Sequence, residues 1–213
     1  MMLGSHYDSF RLTAYLIAIN TAAFIFQIIF PSFMEMFYLQ ADQVLTAPWQ
    51  LVTYMFMHGS ILHIFFNMFV LLIFGSVLER VIGGRKYLFL YFVSGIGSAL
   101  IYILLMSVFD PAGLAYPMLG ASGAIFGVMA AYAFKFPKSW VYIFGLIPLP
   151  AWLLIIFFLV EETFFGVLGF QSGIANFGHV GGILCGLAIM SYWKWRSERK
   201  KPREFRGFQF IWE

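Results

Sequence analysis

The sequence predicts an all-α membrane protein, a bundle of six transmembrane helices, and three observations predict it. Of 213 residues, 62% are hydrophobic and 11% charged. A soluble domain carries about 25% charge, so this chain lacks the charge to cover a water-facing surface. Apolar runs recur at 12–30, 60–78, 87–107, 121–135, 150–168 and 175–193. A span needs about 20 such residues, and fewer where the helix is partly buried in protein. With six spans the basic residues also segregate. All 13 Lys and Arg fall on the side of the termini: Arg11, then Arg80, Arg85 and Lys86, then Lys135 and Lys138, then seven from Lys194 to Arg206. The opposite side holds Glu35, Asp42, Asp110, Glu161 and Glu162 and no basic residue. A wrong span count would scramble that pattern, which puts both termini in the cytoplasm and the chain in the cell membrane.

The elements follow in order. Residues 1–10 form a short polar cytoplasmic tail, so the first apolar run is expected to be a retained span and not a cleaved signal. Residues 11–194 form the six-helix core. The loop at about 31–59 is the longest; it carries Met34, Met36, Phe37, Tyr38, Pro48 and Trp49, and it is expected to lie in the membrane interface. The turns on the cytoplasmic side are shorter, with Gly83-Gly84 in one and Pro137 in another. Pro148 and Pro150 mark the entry to the fifth span, with Val141 to Ile147 in an interfacial connection. Residues 195–213 form a basic tail. Beside a last span such a tail marks the cytoplasmic face and touches anionic lipid, so no nucleic-acid partner is expected. Cys185 is the only cysteine, so neither an intrachain disulfide nor a cysteine-rich metal site is available.

Polar residues inside spans point to function. Ser122 stands in Gly120-Ala121-Ser122-Gly123 at the start of the fourth span, and His179 in Asn176-Phe177-Gly178-His179-Val180-Gly181-Gly182 in the sixth. Gly123 and Gly127 share one helix face, and Gly178, Gly182 and Gly186 share another; small residues so spaced let helices approach closely. A close contact between these spans would bring Ser122 and His179 within hydrogen-bond reach. His63 and Asn67, four apart in the second span, share a face at the same depth, in the outer half of the membrane.

This set suits serine hydrolysis within the membrane. The His-Glu-x-x-His metal motif is absent, although a zinc site from His58, His63 and His179 is conceivable, and Asp8, Asp42 and Asp110 lie outside the spans. No cofactor or metal is expected. Ser122 is the expected nucleophile, activated by an adjacent base. His179 is that base, and later the acid that protonates the leaving amine. No Asp or Glu lies in the fourth or sixth span, so a dyad is expected. Phe126, one turn below Ser122, can pack on the imidazole. The oxyanion would meet the Ser122 N–H at a positive helix end and the side chains of His63 and Asn67. Gly120 allows close backbone approach. A transporter or channel would instead carry polar residues through the full membrane thickness, and the inner half of the fourth span is apolar.

These residues resemble a known family, the rhomboid intramembrane serine proteases. The resemblance rests on Gly120-Ala121-Ser122-Gly123, on His179 followed by glycines, on His58, His63 and Asn67 leading into the second span, and on Trp49 in the first loop. It covers about residues 11–194 and is similar to the minimal six-helix prokaryotic form. It implies a rhomboid-like bundle, a Ser122/His179 dyad, oxyanion contacts from His63 and Asn67, and a structural role for His58. It also implies single-span membrane-protein substrates, cut near the outer leaflet. Gln50 stands where the family often has Arg, and Phe126 where some members have Tyr. A rhomboid-like binding module without catalysis is the alternative; such members typically lack the serine or the histidine.

Overall fold

The computed structural model describes residues 11–143, 145–168 and 175–200. The chain is mostly helical. Helix α1 is Arg11–Ile29, α2 is Ile61–Ile82 with one π turn at Leu71–Gly75, and α3 is Gly84–Phe109. Helix α4 is Ser122–Lys135, α5 is Ala151–Leu168 and α6 is Asn176–Lys200. Among the described residues four helices, α1, α2, α3 and α5, are long and apolar enough to cross a membrane. Helix α4 has only 14 residues, and the C-terminal half of α6 carries Lys194, Arg196, Glu198 and Arg199.

The all-α expectation is corrected at one place. Strands β1 (Trp140–Ile143) and β2 (Ile147–Pro150) pair antiparallel, from Trp140 opposite Pro150 to Ile143 opposite Ile147. The run Trp-Val-Tyr-Ile is β-branched and aromatic, which suits a strand. Pro148 and Pro150 are tolerated because a two-stranded ribbon has only edges. The turn passes through Gly145, at φ +71°, a conformation that costs an L side chain energy but not glycine. The interfacial connection expected here is therefore a hairpin that leads directly into α5.

Helix α4 lies at the centre. Most of its residues from Gly123 to Ala133 are buried, and it packs on α3 and α6 through glycine. A Cβ on Gly182 would overlap the carbonyl oxygen of Gly123, and one on Gly186 that of Gly127. On the other face, a Cβ on Gly123 or Gly127 would overlap Ser98 or Ser94 of α3. Lipid tails are as apolar as leucine, so close packing and interhelical hydrogen bonds, not hydrophobic burial, hold such helices together. Ser76 and Ser107 bond carbonyls of their own helices. Ser98 does not: its hydroxyl donates across to the Gly178 carbonyl of α6 at 2.7 Å.

A buried carboxylate fixes the start of α1. Glu79 of α2 accepts from the backbone N–H of Leu12 (3.0 Å) and of Thr13 (2.8 Å), and from the Thr13 hydroxyl (2.7 Å). The first amides of a helix have no intrahelical partner, and an anion is favoured at that end. This explains how Glu79, 1% exposed, is accommodated.

The first loop folds back on itself in short helical turns. The Trp49 indole donates to the Met36 carbonyl, Thr53 Oγ1 to the Phe37 carbonyl, and the Gln40 N–H to the side chain of Gln50. Gln50 is buried, so this position braces the loop with a neutral amide. Leu39 and Met118 form an isolated antiparallel bridge that ties the loop to the segment before Ser122.

Candidate active site

The segment entering α4 makes a sharp turn. The Gly120 N–H donates to the Tyr54 carbonyl at 2.9 Å, and Gly120 has φ +117°, which L residues other than glycine rarely adopt. The turn delivers Ser122 to the first position of α4. Ser122 Oγ lies 2.8 Å from Nε2 of His179, in the first turn of α6. The glycine contact between the two helices is immediately beneath: Gly123 follows the serine, and Gly182 is one turn below the histidine. Phe126 stacks on the imidazole, with ring centroids 4.5 Å apart and planes 28° from parallel.

His63 and Asn67 come to the same place from α2. A Cβ on Gly120 would stand 2.8 Å from His63 Nε2 and Cε1, and 3.7 Å from Asn67 Nδ2. The Ser60 hydroxyl caps α2 by accepting from the His63 N–H. His63 Nδ1 accepts from the Gly59 N–H at 3.3 Å, so the proton of the neutral ring is on Nε2, the nitrogen next to Gly120. Asn67 is 8% exposed and its buried Nδ2 has no hydrogen-bond partner among the described residues. Two donors therefore stand beside the backbone that carries the serine. Unsatisfied buried donors are rare and costly.

His58 is elsewhere, fully buried at the end of the first loop. The Gln27 side chain of α1 pairs with its backbone in both directions, accepting from the His58 N–H at 3.0 Å and donating to the His58 carbonyl at 2.5 Å. The His58 ring meets His63 edge-on, with centroids 5.0 Å apart. Burial, and then the nearby His63, push the His58 pKa down to about 4. Among the described residues no three His, Cys, Asp or Glu side chains are grouped to hold a metal ion, so His58, His63 and His179 do not form a three-histidine centre.

One residue at the site was not expected. Glu162, read from the sequence as an outer-side acid, lies within α5 and is 6% exposed. Its Oε1 is 2.8 Å from His179 Nδ1, and its Oε2 accepts from Asn176 Nδ2 at 2.7 Å. The signal was in the sequence: an acidic residue inside an apolar span is itself a functional-site candidate.

A family model described as the Rhomboid domain matches residues 46–196. The chain is 32% identical over 142 residues to RHOMBOID-like protein 6, mitochondrial, of Arabidopsis thaliana, covering 66% of this chain and 42% of the relative. It is 32% identical over 135 residues to Rhomboid-type serine protease 2 of Emericella nidulans, covering 63% and 25%. It is 31% identical over 158 residues to Rhomboid-like protease 3 of Toxoplasma gondii, covering 74% and 56%. The chain thus spans about two fifths of the first relative's length.

Proposed function

Because the chain belongs to the rhomboid family, a family of multi-pass membrane proteins, we propose that it is an intramembrane serine endopeptidase that cuts transmembrane segments of other membrane proteins near the outer leaflet. The observation that carries this reading is the 2.8 Å approach of Ser122 Oγ to His179 Nε2, at the outer ends of two helices that touch through glycine. A serine beside a base within hydrogen-bond reach is the signature of an activated nucleophile.

The chemistry runs as acyl transfer. The Ser122 O–H breaks and its proton passes to His179 Nε2 as Oγ bonds to the substrate carbonyl carbon. The carbonyl electron pair becomes an oxyanion. The His63 and Asn67 donors and the first amides of α4 supply the charge stabilisation that acyl transfer needs. Collapse of the tetrahedral species breaks the C–N bond, and the amine leaves with the proton from Nε2. Water, deprotonated by the same nitrogen, then attacks the acyl carbon; the C–Oγ bond breaks and Nε2 returns the proton to Ser122 Oγ.

In this reading α4 and α6 cross the membrane as well, giving six spans. The short α4 is shielded from lipid by α3 and α6, and the charged end of α6 emerges at the cytoplasmic face. Lipid meets the exposed side chains of α2, among them Ile61, Leu62, Phe65, Phe69 and Leu72. The one-sided distribution of Lys and Arg supports cytoplasmic termini; a reporter fused after Glu213 should read as cytoplasmic, and a periplasmic-type signal would reverse the orientation. The catalytic test is cleavage of a purified single-span substrate in proteoliposomes. Ser122→Ala and His179→Ala should each abolish cleavage, and the double variant should be no worse than either, because the pair acts as a unit. Substantial turnover by Ser122→Ala would defeat the proposal.

A further inference from the structure

We infer that Glu162 is a positioning residue that sets the tautomer and orientation of His179; this rests on the Ser122/His179 reading above. An acidic residue within an apolar span is costly unless its charge is matched and hydrogen-bonded. Both oxygens of this carboxylate are engaged, Oε1 by His179 Nδ1 and Oε2 by Asn176 Nδ2. The two partners lie three residues apart at the start of α6, so they share a face, and Glu162 reaches that face from α5.

The hydrogen-bond logic is directional. An ionised carboxylate only accepts, so Nδ1 of the neutral ring must carry the proton. Nε2 is then left with its lone pair, 2.8 Å from Ser122 Oγ, which is the tautomer a general base requires. The opposite tautomer would place a second donor against the serine hydroxyl and leave no lone pair for its proton. The Asn176 bond prevents the carboxylate from swinging away, and Phe126 stacks on the ring face, so ring plane and ring tautomer are fixed from separate helices. When Nε2 takes the serine proton, the resulting imidazolium has an anion 2.8 Å from Nδ1–H. At that depth an unpaired cation would be far less stable than in water. Glu162 acts through the imidazole; it touches neither substrate nor the reacting atoms.

The test compares wild type, Glu162→Gln, Glu162→Asp and Ser122→Ala in proteoliposomes with the same single-span substrate. Their unfolding temperatures are measured alongside. Glutamine keeps the size but can donate as well as accept, so it tolerates either tautomer. Glu162→Gln should lower kcat by at least about 10²-fold, with ~10⁴ as the ceiling set by loss of the orienting carboxylate in soluble serine proteases. KM should stay within about twofold, since the tautomer matters only once the proton moves. Glu162→Asp, one methylene shorter but still anionic, should recover more kcat than Gln does. The ¹⁵N spectrum of histidine-labelled wild type, with the His179 signals identified by their loss in His179→Ala, should show the Nδ1-protonated tautomer. That measurement holds even if Glu162→Gln fails to fold. Wild-type kcat in Glu162→Gln, a fall in activity that Asp does not relieve and that tracks unfolding temperature, or an Nε2-protonated His179 would each overturn the inference. Loss of activity in Ser122→Ala together with full activity in Glu162→Gln would reject this inference alone; turnover by Ser122→Ala would reject the reading beneath it.

Discussion

Gly182 is where packing and chemistry are most directly joined, and Gly182→Ala tests that junction with a single methyl group. A Cβ at this position overlaps the Gly123 carbonyl oxygen and stands 2.9 Å from the Gly123 carbonyl carbon and 3.3 Å from its Cα. The obstacle is backbone, so no rotamer change relieves it. To restore van der Waals contact α4 and α6 must part by about 1 Å. Ser122 precedes Gly123, and His179 lies one turn above Gly182, so most of that separation reaches the 2.8 Å Oγ–Nε2 contact. A hydrogen bond near 2.8 Å stretched by about 1 Å is no longer one. A misplacement of that size costs on the order of 10² in rate. Overpacking should also destabilise the bundle by ~1–3 kcal/mol. The assay is kcat on a purified single-span substrate, normalised to the Ser122 that reacts with a fluorophosphonate, with unfolding temperature measured in parallel. Gly186→Ala is the companion variant. It makes the same kind of clash, with the Gly127 carbonyl, one turn further from the pair, so it should cost similar stability but less turnover. Wild-type kcat in Gly182→Ala, or equal losses of kcat in the two variants, would refute the claim that this contact sets the site geometry.

The remaining predictions concern the polar residues of the second helix and the first loop. Asn67→Ala and His63→Ala should each lower kcat by up to ~10²–10³ with little change in KM, as loss of one oxyanion donor does in a serine protease; stability loss with kcat intact would make both residues interhelical ties only. His58, held near pKa 4 when folded against about 6.5 in an unfolded chain, takes up its proton first in the unfolded state. Its contribution to stability is therefore complete above about pH 6.5 and is lost as pH falls toward 4, at no more than ~1.4 kcal/mol per pH unit. The unfolding temperature of wild type should drop across that window more steeply than that of His58→Phe, and parallel pH curves would remove His58 as the cause.

The sequence made the helices of the core legible because their apolar runs are long and their basic residues segregate. It also made Ser122, His179 and Phe126 legible as a group, since glycine spacing on the fourth and sixth spans implied a close approach. Glu162 was missed for a physical reason. Two adjacent acids near the outer end of a span read as the start of a polar loop, and only the helix phase shows that Glu162 turns inward. Gln27 was equally hidden: its side chain meets the backbone of His58, 31 residues away, which no side-chain pattern announces. The β1–β2 hairpin was obscured by its prolines, which exclude a helix interior but are tolerated at a ribbon edge. Glu79 shows the converse, an acid beside the basic residues Arg80, Arg85 and Lys86 whose partners are backbone amides and a hydroxyl.

These features share a cause. In lipid, helices gain little from burying apolar side chains against one another, so association depends on close contact and on polar groups that find partners. The contacts that hold this bundle together are therefore also those that aim the candidate site. The Ser98 hydroxyl bonds the Gly178 carbonyl, one residue before His179. The glycine faces of α4 and α6 fix how near the serine and histidine can come. Asn176 and Glu162 join α5 to the same turn of α6. A soluble protease can separate a hydrophobic core from a catalytic surface, and stability from activity with it; under the proposed function this chain would not. On that proposal packing and chemistry share the same few atoms, so a variant that merely loosens the bundle is expected to lose turnover too. Only turnover per reactive Ser122, read beside unfolding temperature, separates a residue that acts on the chemistry from one that acts on the packing.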